Sequence, residues 1–354
     1  MSKGQVAPIA VLGAGGHMGI PYVKALLTLQ FDKAEIIGIE PDAERRQAVE
    51  ALGVPVFASL ADAAALGIES AIVSVPSPLH RKMFELCASL GIKNVFSEKP
   101  LVLNEAEFAG LDTLGLDIYT GYLIHFSPAV DYLCAFVEEK SLECAQVISM
   151  WGKNWCAVGR PMGPDLEEEL IHPLVTAMRI IGRDKIVEIK RSGVIGTYVP
   201  YVRPEVAEKG KTEDFGFPER LNDTSLGNFN ASTAARQSIP ISILSSFNFA
   251  RQRRTMDVTL MEEGETFPRY KAILDFDLRS AGGGVYDEVS IIDALTDQVV
   301  SDHGGPKQGQ FVGNKVLIQL EMALKAFAGE EPDPRLVNIS WAGSIVRLLE
   351  GALA

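Results

Sequence analysis

Short apolar runs alternate with helix-length amphipathic stretches over the first third of the chain. Residues 7–12, 34–39, 54–57, 71–75, a run ending at Val95-Phe96, and 117–120 are the apolar runs, each closed by turn residues. Between them the spacing predicts helices over 20–30 and 42–52. Ser59 is placed to cap 60–66, and Ser77-Pro78 opens a helix that reaches Leu90 and stops at Gly91. Asn104 caps a further segment with Glu105 and Glu107 in its first turn. Continuous apolar strands regularly separated by helices are the pattern of a doubly wound parallel sheet buried on both faces.

The pattern changes near residues 121–128. Ser127-Pro128 opens a helix to about residue 140. Strand-like stretches follow at 146–155, 185–192, 238–250, 254–261, 270–277 and 288–294 with few helices between them. Strands in series predict an open, mainly antiparallel sheet, so the chain reads as α/β followed by α+β. The polar tract 202–237 reads as loop or lid. Two helical patterns, 314–328 and 340–353, close the chain on either side of the turn 329–334. The expected division is a doubly wound domain over 1–122, a second, sheet-rich domain over 123–338, and a final helix over 339–354 packing back on the first domain.

Composition narrows the partners. A length of 354 residues suits two domains, and 47% apolar with 22% charged residues is ordinary for a globular protein. The formal charge of −13 argues against nucleic acid or an anionic membrane as partner. Cys87, Cys134, Cys144 and Cys156 form no C-x-x-C pair and no zinc spacing, which fits reduced thiols in a cytoplasmic protein. The N-terminus carries no signal-peptide pattern, and no apolar run is long enough to span a bilayer.

Three clusters carry candidate chemistry. In the first, the turn Gly13-Ala14-Gly15-Gly16-His17-Met18-Gly19 lies between a strand and a helix N-terminus. Close backbone approach, exposed N–H groups and the helix dipole make such a turn a phosphate cradle. Its spacing is G-x-G-x-x-x-G or G-x-x-G-x-x-G, since Met18 holds the slot of the stricter motif. Glu40 ends the second strand about twenty residues on, where a carboxylate meets ribose hydroxyls and repels a 2′-phosphate. NAD is therefore expected over NADP, with Arg45 and Arg46 close behind as cations able to admit NADP. Ser74 and Pro76 leave the fourth strand on the cofactor side. His80 has two readings, a capping-turn histidine or a residue beside the cofactor.

The second cluster is Glu98-Lys99-Pro100, following the fifth strand. Ligands of open parallel sheets bind outside the carboxyl ends of the strands, and Pro100 keeps Lys99 out of the helical region. The third is Glu168 and His172, four apart on one predicted helix whose Leu166, Leu170, Leu174 and Met178 face the core. A carboxylate one turn from an imidazole can fix its tautomer; the alternative is a solvated pair. No second ligand pair accompanies them, so no metal is expected. Tyr122, His125, Asn154 and Trp155 are further candidates for substrate contact. Trp151 and Lys153 stand close by, although tryptophans in sheets commonly belong to the core.

In this order the three clusters resemble the Gfo/Idh/MocA family of NAD(P)-dependent oxidoreductases, which acts on sugars, cyclitols and their derivatives. The resemblance extends to Ser77-Pro78-Leu79-His80, similar to the family's T/S-P-x-x-H, and to the turn at 329–332. It implies that Lys99 takes the family's catalytic lysine position and His172 that of its D-x-x-x-H histidine. Glu168 stands where the family usually has aspartate. It also implies cofactor contacts along Gly13, Gly15, Gly16, His17, Met18, Glu40, Glu98 and Lys99, a sugar-like small-molecule substrate, and a homodimer or homotetramer. A non-catalytic dinucleotide or sugar sensor and a C=N reductase are the competing readings.

Overall fold

The computed structural model describes residues 7–154, 167–198, 223–246, 248–279, 285–305 and 315–350. They fall into two compact units, the described residues up to 123 with 315–350, and those between 124 and 305.

The first unit is built on a seven-stranded sheet. Its parallel strands are β1 (Ile9–Leu12), β2 (Ile36–Ile39), β3 (Val56–Phe57), β4 (Ser70–Val73), β5 (Asn94–Glu98) and β6 (Asp117–Gly121), in the order 3-2-1-4-5-6 from one side. Strands β1 and β2 are buried at every position, as their unbroken apolar runs require. A two-residue strand (Val337–Asn338) adds antiparallel to β6 at the edge. The helices are α1 (Gly19–Thr28), α2 (Ala43–Glu50), α3 (His80–Ser89) and the single turn α4 (Glu105–Phe108). Asn104 caps α4, its side chain accepting from the Glu107 N–H at 2.8 Å. Helix α3 begins at His80, later than expected, because Ser77–Leu79 winds as a 3-10 turn whose first residue is preceded by Pro76.

The chain returns to this unit earlier than residue 339. Residues 315–327 form a helix that packs on α1, with Tyr119 tilted against Phe327 at 5.8 Å. The final helix (Ile339–Glu350) lies on α4, and the Glu350 carboxylate accepts the Glu105 N–H at 2.8 Å.

The second unit carries an eight-stranded sheet. In chain order its strands are β7 (Leu142–Asn154), β8 (Ile186–Tyr198), β9 (Asp223–Thr233), β10 (Ile239–Ser246), β11 (Asn248–Glu262), β12 (Tyr270–Arg279), β13 (Val285–Asp293) and β14 (Val299–Gly304). The spatial order is 14-13-12-11-7-10-9-8, and every pairing is antiparallel except β7 with β10. Helices α5 (Pro128–Glu139) and α6 (Glu167–Ile181) pack on this sheet. Leu170, Leu174 and Met178 are buried on α6, while Leu166 lies outside the described residues. Strand β9 overturns the reading of 202–237 as loop throughout: its core-facing residues Gly227, Phe229 and Ala231 alternate with Asn228 and Asn230. Residues 202–222 lie outside the described set.

Candidate active site

Strand register builds the site on the first unit. Leu12 pairs with Val73, and Val73 with Ser97, so Gly13, Ser74 and Glu98 lie at one level, the first two just past their strands and Glu98 as the last residue of β5. Strands are about 4.8 Å apart, which sets the glycine turn and the end of β5 about 10 Å apart along one edge. Gly13 turns the chain with φ +77°, and its N–H and that of Ala14 bond to the Ile39 carbonyl. Gly19 opens α1, and a Cβ there would stand 2.1 Å from the Gly13 carbonyl oxygen. Helix α1 begins without a side-chain cap and without an acid in its first turn, which leaves its positive end to an anion. His17 is exposed, and Gly15, Gly16 and Met18 are partly exposed.

Glu40 is buried against this turn. One carboxylate oxygen accepts the Gly15 N–H at 3.1 Å and the other accepts from Asp42 at 3.2 Å. A 2′-phosphate would have to approach that charge. Arg46 donates to the carbonyls of Glu40 and Pro41 at 2.9 and 2.7 Å, so its guanidinium is engaged on the backbone. The tight glycine turn, the uncapped helix and the carboxylate at the end of β2 together fit a dinucleotide.

Two of the expected cofactor residues have side chains placed against backbone carbonyls. The Ser74 hydroxyl and N–H both donate to the Leu12 carbonyl, at 2.8 and 3.0 Å, and bind β4 to β1. His80 is 1% exposed, with Nδ1 2.8 Å from the Pro100 carbonyl and Nε2 3.0 Å from that of Val75. Burial pulls its pKa below the usual histidine value, against the opposing pull of these carbonyls and of Glu107. His80 is thus buried between two backbone carbonyls, in the turn region for which the sequence leaves two readings, a capping-turn histidine or a residue beside the cofactor.

Lys99 follows Glu98 at this edge and is partly exposed; its peptide bond to Pro100 is cis. Glu98 accepts a 2.5 Å hydrogen bond from the Tyr22 hydroxyl, and Gln319 donates to the same hydroxyl at 2.9 Å. Neither Tyr22 nor Gln319 follows from local sequence pattern, since a helical tyrosine and a distant glutamine carry no motif. Tyr122 is 2% exposed, and burial pushes its phenol pKa up.

On the second unit, the His172 ring stands 5.8 Å from Trp151 at 30°. Trp151 is 1% exposed and takes the Arg254 guanidinium over its face at 4.8 Å, so it belongs to the core. The Thr176 hydroxyl donates to the His172 carbonyl at 2.8 Å, next to Pro173 inside the helix. Glu168 lies on the same helix and Asn154 ends β7, but both side chains are outside the described set, as is Trp155 entirely. His125 is wholly buried, with Nε2 2.9 Å from the Val175 carbonyl, while Arg179 binds both the His125 carbonyl and Asp131. The Asp131 bond joins α5 to α6, the other two join the turn before α5 to α6, and His125 is held away from an open surface. Among the described residues no group of three His, Cys, Asp or Glu side chains is placed to hold a metal ion, and no helix is long and apolar enough to cross a membrane.

Residues 8–114 match the model of an oxidoreductase family with the NAD-binding Rossmann fold. Myo-inositol dehydrogenase Hyg17 of Streptomyces leeuwenhoekii is 24% identical over 231 residues, 63% of this chain and 69% of that protein. The structure of UDP-N-acetylglucosamine 3-dehydrogenase GnnA from Acidithiobacillus ferrooxidans superposes with a TM-score of 0.68 at 15% identity, covering 97% of this chain and 95% of that one. GenD2 from gentamicin A biosynthesis, solved in complex with NAD, gives 0.65 at 15% identity over 99% and 95%. At these identities the two structures establish the shared fold.

Proposed function

Through its first domain the chain belongs to the Gfo/Idh/MocA oxidoreductases, and from that premise we propose that it is an NAD(P)-dependent dehydrogenase or reductase acting on a sugar, a cyclitol or a related derivative. The observation that supports the reading is the common level of Leu12, Val73 and Ser97, from which the chain enters the glycine turn after β1 and reaches Lys99 two residues on after β5, about two strand spacings away. The inositol and amino-sugar dehydrogenases among its relatives support a polyol-like substrate.

Gly13 to Gly19 would hold the dinucleotide phosphates at the start of α1, and Glu40 the ribose edge. When bound, the nicotinamide supplies the hydride acceptor or donor. Lys99 would donate a hydrogen bond to the reacting oxygen and stabilise its alkoxide character. His172 would accept or return the proton, with Glu168 one turn below orienting the imidazole. Asn154 and Trp155 remain the substrate-contact candidates. Glu40 favours NAD over NADP, and the sheet of the second unit is the surface for self-association.

The test is direct. Purified protein with NAD and a panel of cyclitols, sugars and nucleotide sugars should raise the NADH absorbance with at least one class. Tight NAD binding with no absorbance change across the panel, and no NADH oxidation with the matching ketones, would support a sensor instead.

A further inference from the structure

Three almost fully buried polar side chains converge on the two chain neighbours of Lys99. Tyr22 and Gln319 are 0% exposed and His80 is 1% exposed, whereas Lys99 itself is partly exposed. We propose that Tyr22, Gln319 and His80 are positioning residues that fix Lys99 from both sides, the first two through the Glu98 carboxylate and the third through the Pro100 carbonyl. The inference rests on the reading of Lys99 as the group that meets the reacting oxygen.

On the Glu98 side, hydrogen-bond polarity is determined. Gln319 can only donate from Nε2, so the Tyr22 oxygen accepts there and its single proton goes to Glu98. Burial, followed by the charge of Glu98, holds that proton on the phenol. The chain Gln319 to Tyr22 to Glu98 thus links the returning helix, the helix that opens at the glycine cradle, and the end of β5. Bonds in such a series strengthen one another in a medium of low dielectric. On the other side, the His80 ring lies between the Pro100 carbonyl at 2.8 Å and the Val75 carbonyl at 3.0 Å. The neutral ring has one N–H, whose donation at the shorter contact holds the turn after β5. A buried polar group without partners is costly. Apolar residues would serve a core equally well at all three positions, and Tyr22 already packs edge-on against Phe96 at 5.7 Å. Tyr22 bonds residue 98 directly and Gln319 supports it through the Tyr22 hydroxyl, while His80 reaches residue 100, and residues 98 and 100 together set the direction in which residue 99 leaves the backbone.

Tyr22→Phe and His80→Asn test this, with the core truncation Leu111→Ala as a control that removes no side-chain hydrogen bond. Two quantities are measured beside thermal stability. One is kcat and KM. The other is the rate at which a small amine-reactive reagent labels Lys99, relative to exposed Lys93, by peptide mass spectrometry. Each positioning variant should change the labelling ratio severalfold and lower kcat about tenfold, as misplacement of a reacting group does, with KM for NAD within twofold. Leu111→Ala should lower Tm and leave both readouts unchanged. Gln319→Leu should add nothing to Tyr22→Phe, and an additive loss would remove Gln319 from the relay. Positioning variants whose labelling ratio stays at the wild-type value, or moves only as Tm does, overturn the proposal. If the wild type turns over no substrate, the functional reading fails and the labelling ratio alone decides the positioning.

Discussion

At the scale of single residues, burial and hydrogen bonding separate side chains open to a ligand from side chains held against the backbone. Lys99 belongs to the first kind under the proposed function, so Lys99→Met should leave NAD affinity nearly intact while turnover falls by about 10²–10³, the usual worth of an oxyanion contact. Near wild-type turnover in that variant would sink the assignment. His172→Ala should lose less activity as pH rises, because hydroxide can take the proton; a loss that stays constant with pH would make His172 other than the base. The thiols give a sharper expectation. Burial pushes Cys87 and Cys144 up to about 12, so at pH 8 only about one molecule in 10⁴ carries either thiolate. Iodoacetamide should leave both unmodified in the native protein and alkylate both in urea, and ready native labelling would contradict their burial. Sequence made the glycine turn legible because a strand-turn-helix junction this tight needs a local pattern. It could not assign His80, His125 or Ser74, because a histidine or serine bonded to a distant carbonyl looks the same in sequence as one facing a ligand.

At the scale of elements, legibility followed the inner face of each segment. Strands of the first sheet were readable since both faces are buried and Ile, Val and Ala fill them. Strand β9 was not, because its inward residues are Gly227, Phe229 and Ala231, small or isolated among asparagines; Gly227 lies close against Leu170 of α6. The glycine turn shows why its motif is spaced as it is. The close approach to the Gly13 carbonyl occurs at the first residue of α1, which is Gly19, while Met18 in the preceding slot is the N-cap. Gly19→Ala should therefore destabilise by about 3 kcal/mol, the upper part of the overpacking range, and weaken NAD binding. Unchanged urea midpoint and affinity would show that the turn relaxes freely. Glu40, at the end of β2, bears on cofactor choice by the same logic of place. Catalytic efficiency should be higher with NAD than with NADP, and Glu40→Ala should narrow the gap. An NADP advantage in the wild type would turn attention to Arg45, which is exposed beside Gly15.

At the scale of the molecule, the alternation of the first third announced one sheet and the later run of strands another, but the path of the chain between them was less visible. The helix Lys315–Phe327 belongs to the first unit, and this helix, which supplies Gln319, reads in sequence like any amphipathic helix. The second sheet raises a question of coverage. Its face away from Val147, Met256 and Val258 shows Ile148 at 48% and Ile273 at 37% exposure, around a cavity of about 300 Å³ that Met150, Arg253, Thr255, Asp257 and Asp275 also line. Apolar residues at the centre with one cation beside two carboxylates make a self-complementary surface, because a two-fold contact can set opposite charges against each other. We expect a homodimer or homotetramer through this face. Light scattering at micromolar concentration should give twice or four times the chain mass. A charge placed in the apolar centre, as in Ile148→Asp with Ile273→Asp, should shift the population toward monomer while each monomer keeps its NAD affinity, since the cradle lies wholly on the first unit. A monomeric wild type would refute the association, and a variant that stays assembled would move the interface to another surface.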